Sequence, residues 1–273
     1  MSYFSVLGLE KEPFSTSPDP EFFYRSAAHR SALTRLEIAI RLKRGLSLIL
    51  GDVGTGKTTI SRILMQMLSV QEGFDFHIIL NPDYKSEFQF LSSLVKMFRL
   101  SPGFKSTIDY KEEIERYLYK KGVEEAKTIV LVIDEGQKLN LNQLEILRTL
   151  LNYETNEYKL LQLVIMSQIE LLPKIRKIKN FFDRISLKYI INPLDERETA
   201  EMISFRMQQA GSPSANGALF TDEAIQLIHA HTQGYPRRIA MICHDALEHI
   251  VMHEKRTVDE GLIRELIAGD IHF

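Results

Sequence analysis

The sequence predicts an α/β fold: a parallel sheet sandwiched by helices, followed by a small all-helical C-terminal domain. Three observations carry this. Between Leu46 and Ile191, short apolar runs alternate with segments of helical periodicity. The run "TIVLVI" (Thr128 to Ile133) is apolar on both faces, as a central parallel strand must be. After "NPL" (Asn192 to Leu194) the strand-like runs stop and capped helices take over. Residues 1–194 are therefore expected to form a core carrying an N-terminal strap, and residues 195–273 a helical domain.

Each element has its own signal. The opening "PFSTSPDPEFFY" sets turns with Pro and Ser and offers Phe14, Phe22, Phe23 and Tyr24 as a strap across the core. A helix follows near Ala28 to Lys43, with Leu33, Leu36 and Ile40 at helical spacing. "LSLIL" (Leu46 to Leu50) is a buried strand and Lys57 to Leu68 a helix. "FDFHIIL" (Phe74 to Leu80) is a second strand, followed by helices at Glu87 to Phe98 and Asp109 to Lys121. Thr128 to Ile133 is the third strand, Leu141 to Tyr153 a helix, Leu161 to Met166 a fourth strand and Ile185 to Ile191 a candidate fifth. In the last domain Asp195 and Glu198 are spaced as a capping box and Gly211 closes that helix. Thr221 caps the next, which ends at Gly234; Pro236 opens the third; Thr257 and Glu260 are spaced as the box of a fourth.

Composition excludes several classes. The chain has 273 residues, 44% hydrophobic and 26% charged, with a formal charge of −2, so no global basic field points to nucleic acid. The local cluster "KIRKIK" (Lys174 to Lys179) reads as a solvated face. Cys243 is the only cysteine, which rules out an internal disulfide, and its helical neighbours make it a small core residue. No run approaches the ~18 apolar residues needed to cross a bilayer, so direct membrane insertion is not expected.

The chemistry begins at "GDVGTGKTT". Gly51, Gly56, Lys57 and Thr58 satisfy G-x-x-x-x-G-K-[ST], between a strand and a helix. A triphosphate needs many donors at close range. Glycines let backbone N–H groups converge, and the helix that follows presents its positive end. The expected cradle is Gly51, Asp52, Val53, Gly54, Thr55, Gly56, Lys57, Thr58 and Thr59. In it Lys57 reaches the β- and γ-oxygens of ATP, or the β-oxygens of ADP, and Thr58 ligates Mg²⁺.

"IVLVIDEGQKL" ends its apolar run in Asp134 and Glu135, some 75 residues downstream. Ligands of open parallel sheets sit beyond the carboxyl ends of strands. Asp134 is thus placed to hold Mg²⁺ and Glu135 to polarise an attacking water, although their order in the chain does not by itself assign the two jobs. Gln168, at the end of the next strand, is either a sensor of the γ-phosphate or a polar residue leaving the sheet. His29 is either near the adenine or a structural histidine.

These segments resemble an AAA+ ATPase of the ExeA/GspA type, the group that includes MshM-like pilus-biogenesis ATPases. The resemblance covers "PFSTSPDPEFFYRSAAH", "LILGDVGTGKTT", "VIDEGQKL", "LEILRTLLNYETNEYKLLQLVIMSQIEL", "FFDRI" and "GYPRRIAMICHDAL". Gly136 stands where alanine is usual in the DEAQ-type motif. Ser167 and Ile169 depart from the G-Q-P-E-L sensor, and Ala240 stands where asparagine is common. The resemblance implies a P-loop NTPase core with a helical lid. It makes Arg184 an arginine finger reaching an adjacent subunit and Arg237 a second sensor on the lid, with Arg238 as a neighbour able to share that task. It also implies an ATP-hydrolysing motor or switch in a homo-oligomer, serving type II secretion or type IV pilus assembly. Longer relatives add a membrane helix and a peptidoglycan-binding domain. Neither is present in these residues, so the expectation is a short cytoplasmic form recruited to the inner membrane by a partner. Two rival readings accompany it: a DNA-associated regulator of transposition of the TniB/TnsC kind, which the neutral charge balance does not favour, and a slowly hydrolysing ATP-dependent scaffold.

Overall fold

The computed structural model describes residues 3–17, 19–103, 105–211 and 219–269. In chain order the elements are α1 (Tyr3–Val6), α2 (Ala27–Arg41), β1 (Leu46–Gly51), α3 (Lys57–Leu68), β2 (Phe74–Ile79), α4 (Glu87–Met97), α5 (Thr107–Tyr119), β3 (Thr128–Ile133), α6 (Leu141–Leu150), β4 (Leu161–Ser167), α7 (Leu171–Arg176), β5 (Ile185–Ile191), α8 (Glu196–Gln209), α9 (Asp222–Thr232), α10 (Pro236–Met252) and α11 (Glu260–Gly269). The chain divides into two compact units. One holds residues 28–53 and 60–191; the other holds 1–27, 54–59 and 192–273.

The first unit is built on a five-stranded sheet of order β2-β3-β4-β1-β5, with every pairing parallel. β1, β3 and β4 are buried at every position. Leu46, Leu48, Leu50, Ile129, Leu131, Ile133, Leu161, Leu163 and Ile165 enter one cluster with buried side chains of α4 to α7. The opposite alternation, including Ile49, Val130, Val132, Val164 and Met166, is equally buried. Buried polar side chains inside the sheet are satisfied: Gln162 accepts the Gly45 N–H at 2.8 Å and donates to the Lys159 carbonyl at 2.7 Å.

Local chemistry explains where helices begin. Ser86 and Ser106 accept N–H bonds from Gln89 and Asp109 at the starts of α4 and α5. Asn140 and Gln143 form a reciprocal capping box on α6. α7 was not foreseen from the sequence. It places the first lysine of the "KIRKIK" run half-buried rather than solvated: Lys174 Nζ donates to the carbonyls of Gln137 and Leu139, the latter at 3.0 Å. Arg176, Lys177 and Lys179 are exposed.

The second unit is helical. The expected helical domain includes residues 212–218 and 270–273, which lie outside the described residues. Asp195 and Glu198 cap α8 reciprocally, and Gly211 follows it at φ +86°. Thr221 caps α9 through the Ala224 N–H, and Pro236 occupies the first turn of α10. The fourth start is corrected. α11 begins at Glu260, and its cap is Asp259, whose Oδ1 accepts the Leu262 N–H at 2.8 Å, rather than Thr257. Val258 is held extended by a parallel bridge to Phe220, so the helix cannot begin before it. A carboxylate beside the positive helix end is also the stronger acceptor.

The opening strap is corrected as well. The sequence grouped it with the nucleotide core. Its buried residues Leu9, Phe14 and Phe22 instead enter the apolar cluster of the helical unit, with Met202, Met207, Phe220, Ile239 and Leu247. The Glu10 N–H donates to the Ala210 carbonyl at 2.8 Å, and Arg206 Nη1 donates to the Ser15 carbonyl at 3.2 Å. Cys243 is fully buried in this cluster, and burial pushes its thiol pKa far up.

Candidate functional site

Register places the carboxyl ends of three strands side by side. Leu50 of β1 is opposite Ser167 of β4, and Ile133 of β3 is opposite Ile165. The next residues are therefore Gly51 leading into the phosphate loop, Gln168 after β4 and Asp134 after β3. Of the residues expected to carry chemistry, Gly51, Asp134 and Gln168 stand at this edge of the first unit's sheet.

The loop itself is glycine-dependent at two points. Gly54 and Gly56 have φ +82° and +94°, a region that side chains with a Cβ enter at a cost. Asp52 and Val53 are exposed, Thr55 is buried, and α3 begins at Lys57. Lys57 is only 6% exposed and Thr59 7%; Thr58 is half-buried. A buried ammonium at a helix start, beside backbone freed by glycine, suits a polyanion. Residues 54–59 group with the helical unit, and there the Arg237 N–H donates to the Gly54 carbonyl at 3.4 Å. A Cβ on Gly54 would lie 2.9 Å from the Arg237 Cβ. The proposed second sensor thus starts α10 against the phosphate loop. Its neighbour Arg238 lies over the Tyr235 ring at 5.1 Å.

The acidic pair is set by the end of β3. Asp134 is 2% exposed, and its Oδ1 accepts the Glu135 N–H at 2.9 Å. Glu135 is half-buried and left-handed, φ 54°, ψ 37°, a strained conformation for a residue with a side chain. A 3-10 turn, Gly136–Lys138, follows. A Cβ on Gly136 would meet Ile165 Cγ2 at 2.5 Å, so the turn lies closer to β4 than alanine allows.

Gln137 stands in the acidic motif but has no role that spacing along the chain assigns. Its Nε2 donates to Glu135 Oε2 at 2.7 Å. Its Oε1 accepts from Ser167 Oγ at 3.3 Å and from the Gln168 N–H at 3.2 Å. The signal that could have found it is the motif D-E-x-Q itself: a side-chain amide two residues past an acid, on a tight turn, faces back toward that acid.

Arg184 stands apart from the rest. It immediately precedes β5, whose Ile185 pairs with Leu46 at the amino end of β1. Five steps along β1, from Leu46 to Gly51, separate that end from the start of the phosphate loop, about 17 Å at the rise of a strand. Arg184 lines a cavity of about 340 Å³ with Arg44, Lys159, Asp183 and Ser186. Its Nη1 donates to the Arg148 carbonyl at 3.4 Å. His29 is buried within α2.

A five-stranded parallel sheet with a phosphate loop after β1, an acidic pair after β3 and an attached helical unit defines a P-loop NTPase of the AAA+ type, a nucleotide-binding fold. Residues 40–175 match the family described as AAA domain. General secretion pathway protein A of Aeromonas hydrophila is 35% identical over 247 residues, 90% of this chain and 44% of its own length. The chain belongs to the ExeA/GspA-type AAA+ ATPases, and it spans less than half of that relative. Solved structures agree on the fold alone. The Aeropyrum pernix ORC2 protein (ADPNP-ADP complexes) superposes with a TM-score of 0.65 at 17% identity, over 91% of this chain and 71% of that one. The Thermotoga maritima RuvB Holliday junction branch migration motor gives 0.58 at 14%, over 90% and 72%.

Proposed function

We propose that this chain is an ATP-hydrolysing motor or switch whose working site is completed by a second copy, with residues 195–273 as its lid. The position of Arg184 carries the reading. A side chain at the amino end of β5 cannot reach a phosphate held at the carboxyl end of β1 in the same chain, about 17 Å or more away. If Arg184 serves hydrolysis, it serves a neighbour.

Within one subunit the residues divide the work. Backbone N–H groups of residues 51–59 and the Lys57 ammonium bind the β- and γ-phosphates. A magnesium ion held by Thr58 and Asp134 would add charge neutralisation there when bound. Glu135 orients and polarises the attacking water, and Gln168 reads the γ-phosphate from the end of β4. Arg237 adds positive charge from the start of α10. A guanidinium from the neighbour, Arg184, stabilises charge on the transferred phosphoryl group, a contribution of ~10³–10⁵ in rate. The relative named General secretion pathway protein A supports placing the cycle in secretion; a service to type IV pilus assembly rests on the resemblance of the sequence motifs alone. The expected place of work is the cytoplasmic face of the inner membrane, through a partner. No helix among the described residues is long and apolar enough to cross a membrane.

Complementation tests the shared site. Glu135→Gln and Arg184→Ala are each expected to bind ATP and to turn over at less than about one hundredth of the wild-type rate. Mixed in equal amounts, they re-create whole interfaces, with a ceiling of about a quarter of wild-type activity for random assembly. Two variants that bind ATP but show no recovery on mixing would sink the shared site.

A further inference from the structure

We infer that Gln137 is a positioning residue for Glu135, tying the acid to the end of β4 through one side-chain amide. The inference rests on the hydrolytic reading of Glu135.

The amide has one acceptor and one donor group, and both are committed. Its oxygen accepts the Gln168 N–H at 3.2 Å and shares the Ser167 hydroxyl, 3.3 Å away, with the Gln168 carbonyl, which lies nearer to that hydroxyl at 2.9 Å. Its nitrogen donates to the Glu135 carboxylate at 2.7 Å. The chemistry fixes this orientation. Turned over, the amide would set an NH₂ against the Gln168 N–H and an oxygen against a carboxylate. The base of the side chain is equally fixed. The Lys138 N–H bonds the Glu135 carbonyl at 2.9 Å and the Leu139 N–H bonds the Gly136 carbonyl at 3.1 Å. Lys174 holds the Gln137 carbonyl from α7.

Two consequences follow for the acid. Glu135 Oε2 accepts the Gln137 amide, which fixes the aim of the carboxylate. Its strained left-handed backbone is held in place by the same turn. The residue whose N–H anchors the amide is Gln168, the candidate phosphate sensor. A displacement at the end of β4 therefore reaches the acid through a single side chain, and the acid's aim depends on what Gln168 does.

The first measurement needs no turnover. In nucleotide-free protein labelled with ¹⁵N at glutamine side chains, the Gln137 NH₂ signals, identified by their loss in Gln137→Met, should shift in Glu135→Ala and in Ser167→Ala. The second separates binding from chemistry. Gln137→Met keeps the length and removes both hydrogen-bonding groups. It is expected to bind an ATP analogue within about threefold of wild type while kcat falls at least about tenfold. Gln137→Ala should behave alike; if it fails to fold, the methionine variant decides. Adding Gln137→Met to Glu135→Gln should cost nothing further, since the amide acts through the acid. Unmoved NH₂ signals, or a kcat within twofold of wild type in Gln137→Met while Glu135→Gln is inactive, overturns this inference alone. Full turnover in Glu135→Gln overturns the hydrolytic reading and the positioning role together.

Discussion

The Arg237 main chain donates to the Gly54 carbonyl at 3.4 Å, and the Arg237 Cβ fills the space where a Cβ on Gly54 would project, 2.9 Å away. The phosphate loop and the first turn of α10 are thus fitted to each other at a glycine with φ +82°. Gly54→Ala meets two costs, a left-handed backbone and a close approach to main-chain-proximal atoms that cannot swing away. It is expected to destabilise the protein by about 2–3 kcal/mol in chemical unfolding and to weaken ATP binding. Arg237→Ala leaves the glycine free and should keep ATP affinity within a few-fold while lowering kcat by about tenfold, as expected of a group that acts on developing charge.

The DEGQ turn makes a second stereochemical prediction. The family's usual alanine at position 136 would set a methyl 2.5 Å from Ile165 Cγ2 and 3.2 Å from Ser167 Cβ. Ile165 is fully buried and cannot swing aside. Gly136→Ala should therefore cost about 1–3 kcal/mol of stability. Ile165→Leu, which removes the β-branch, should recover most of it. A double-mutant cycle by urea denaturation measures the coupling; additive losses would show that the turn relaxes in some other direction.

What the sequence disclosed follows the range of the interactions. The sheet strands were readable because β1, β3 and β4 are buried on both faces and carry unbroken apolar runs. The caps at Asp195 and Thr221 were readable because capping is local. Thr257 misled because a bridge between Val258 and Phe220, nearly forty positions apart, decided where α11 begins. The strap misled for a similar reason: Phe14 packs edge-on to Phe220 at 5.9 Å, a partner no local pattern names. The phosphate loop and acidic pair were legible as spacing. Gln137 was not, since its role depends on β4 lying alongside the turn, a relation created only by the sheet register.

Acid should reveal a cluster at the sheet edge. On β2, Asp75 lies 2.9 Å from His77 Nε2 and accepts from the Tyr117 hydroxyl at 2.8 Å. The hydrogen bond from His77, with that from Tyr117, lowers the Asp75 pKa from its ordinary 3.8 to about 2, against the opposing effect of burial. A carboxylate with a depressed folded pKa stabilises the fold above its unfolded pKa, and the contribution is lost as pH falls through the folded value. Asp75→Asn should therefore cost on the order of 1–2 kcal/mol near neutrality, allowing for partial exposure. The gap from wild type should close between about pH 4 and pH 2. Urea midpoints across that range test it, and a gap that persists unchanged at pH 2 would assign the loss to packing.

Nucleotide should stabilise the protein through Lys57. A ligand that binds only the folded state adds about 2.7 kcal/mol at one hundred times its Kd. ATP with magnesium at that level should raise the wild-type melting temperature by several degrees, and chelation of the metal should remove part of the gain. Lys57 is nearly buried at the start of α3, so in Lys57→Ala the phosphates lose their one long cation in the loop while the glycine-framed N–H groups remain. The expected result is a variant that melts near the unliganded wild type and gains less than a degree from ATP. Thr58→Ala should still bind ATP but respond little to magnesium, since the proposed role of the hydroxyl is to hold the ion and not the phosphate. Equal ATP-dependent shifts in wild type and Lys57→Ala would place the nucleotide somewhere other than this loop, and the roles of Glu135, Gln137 and Arg184 would fall with it.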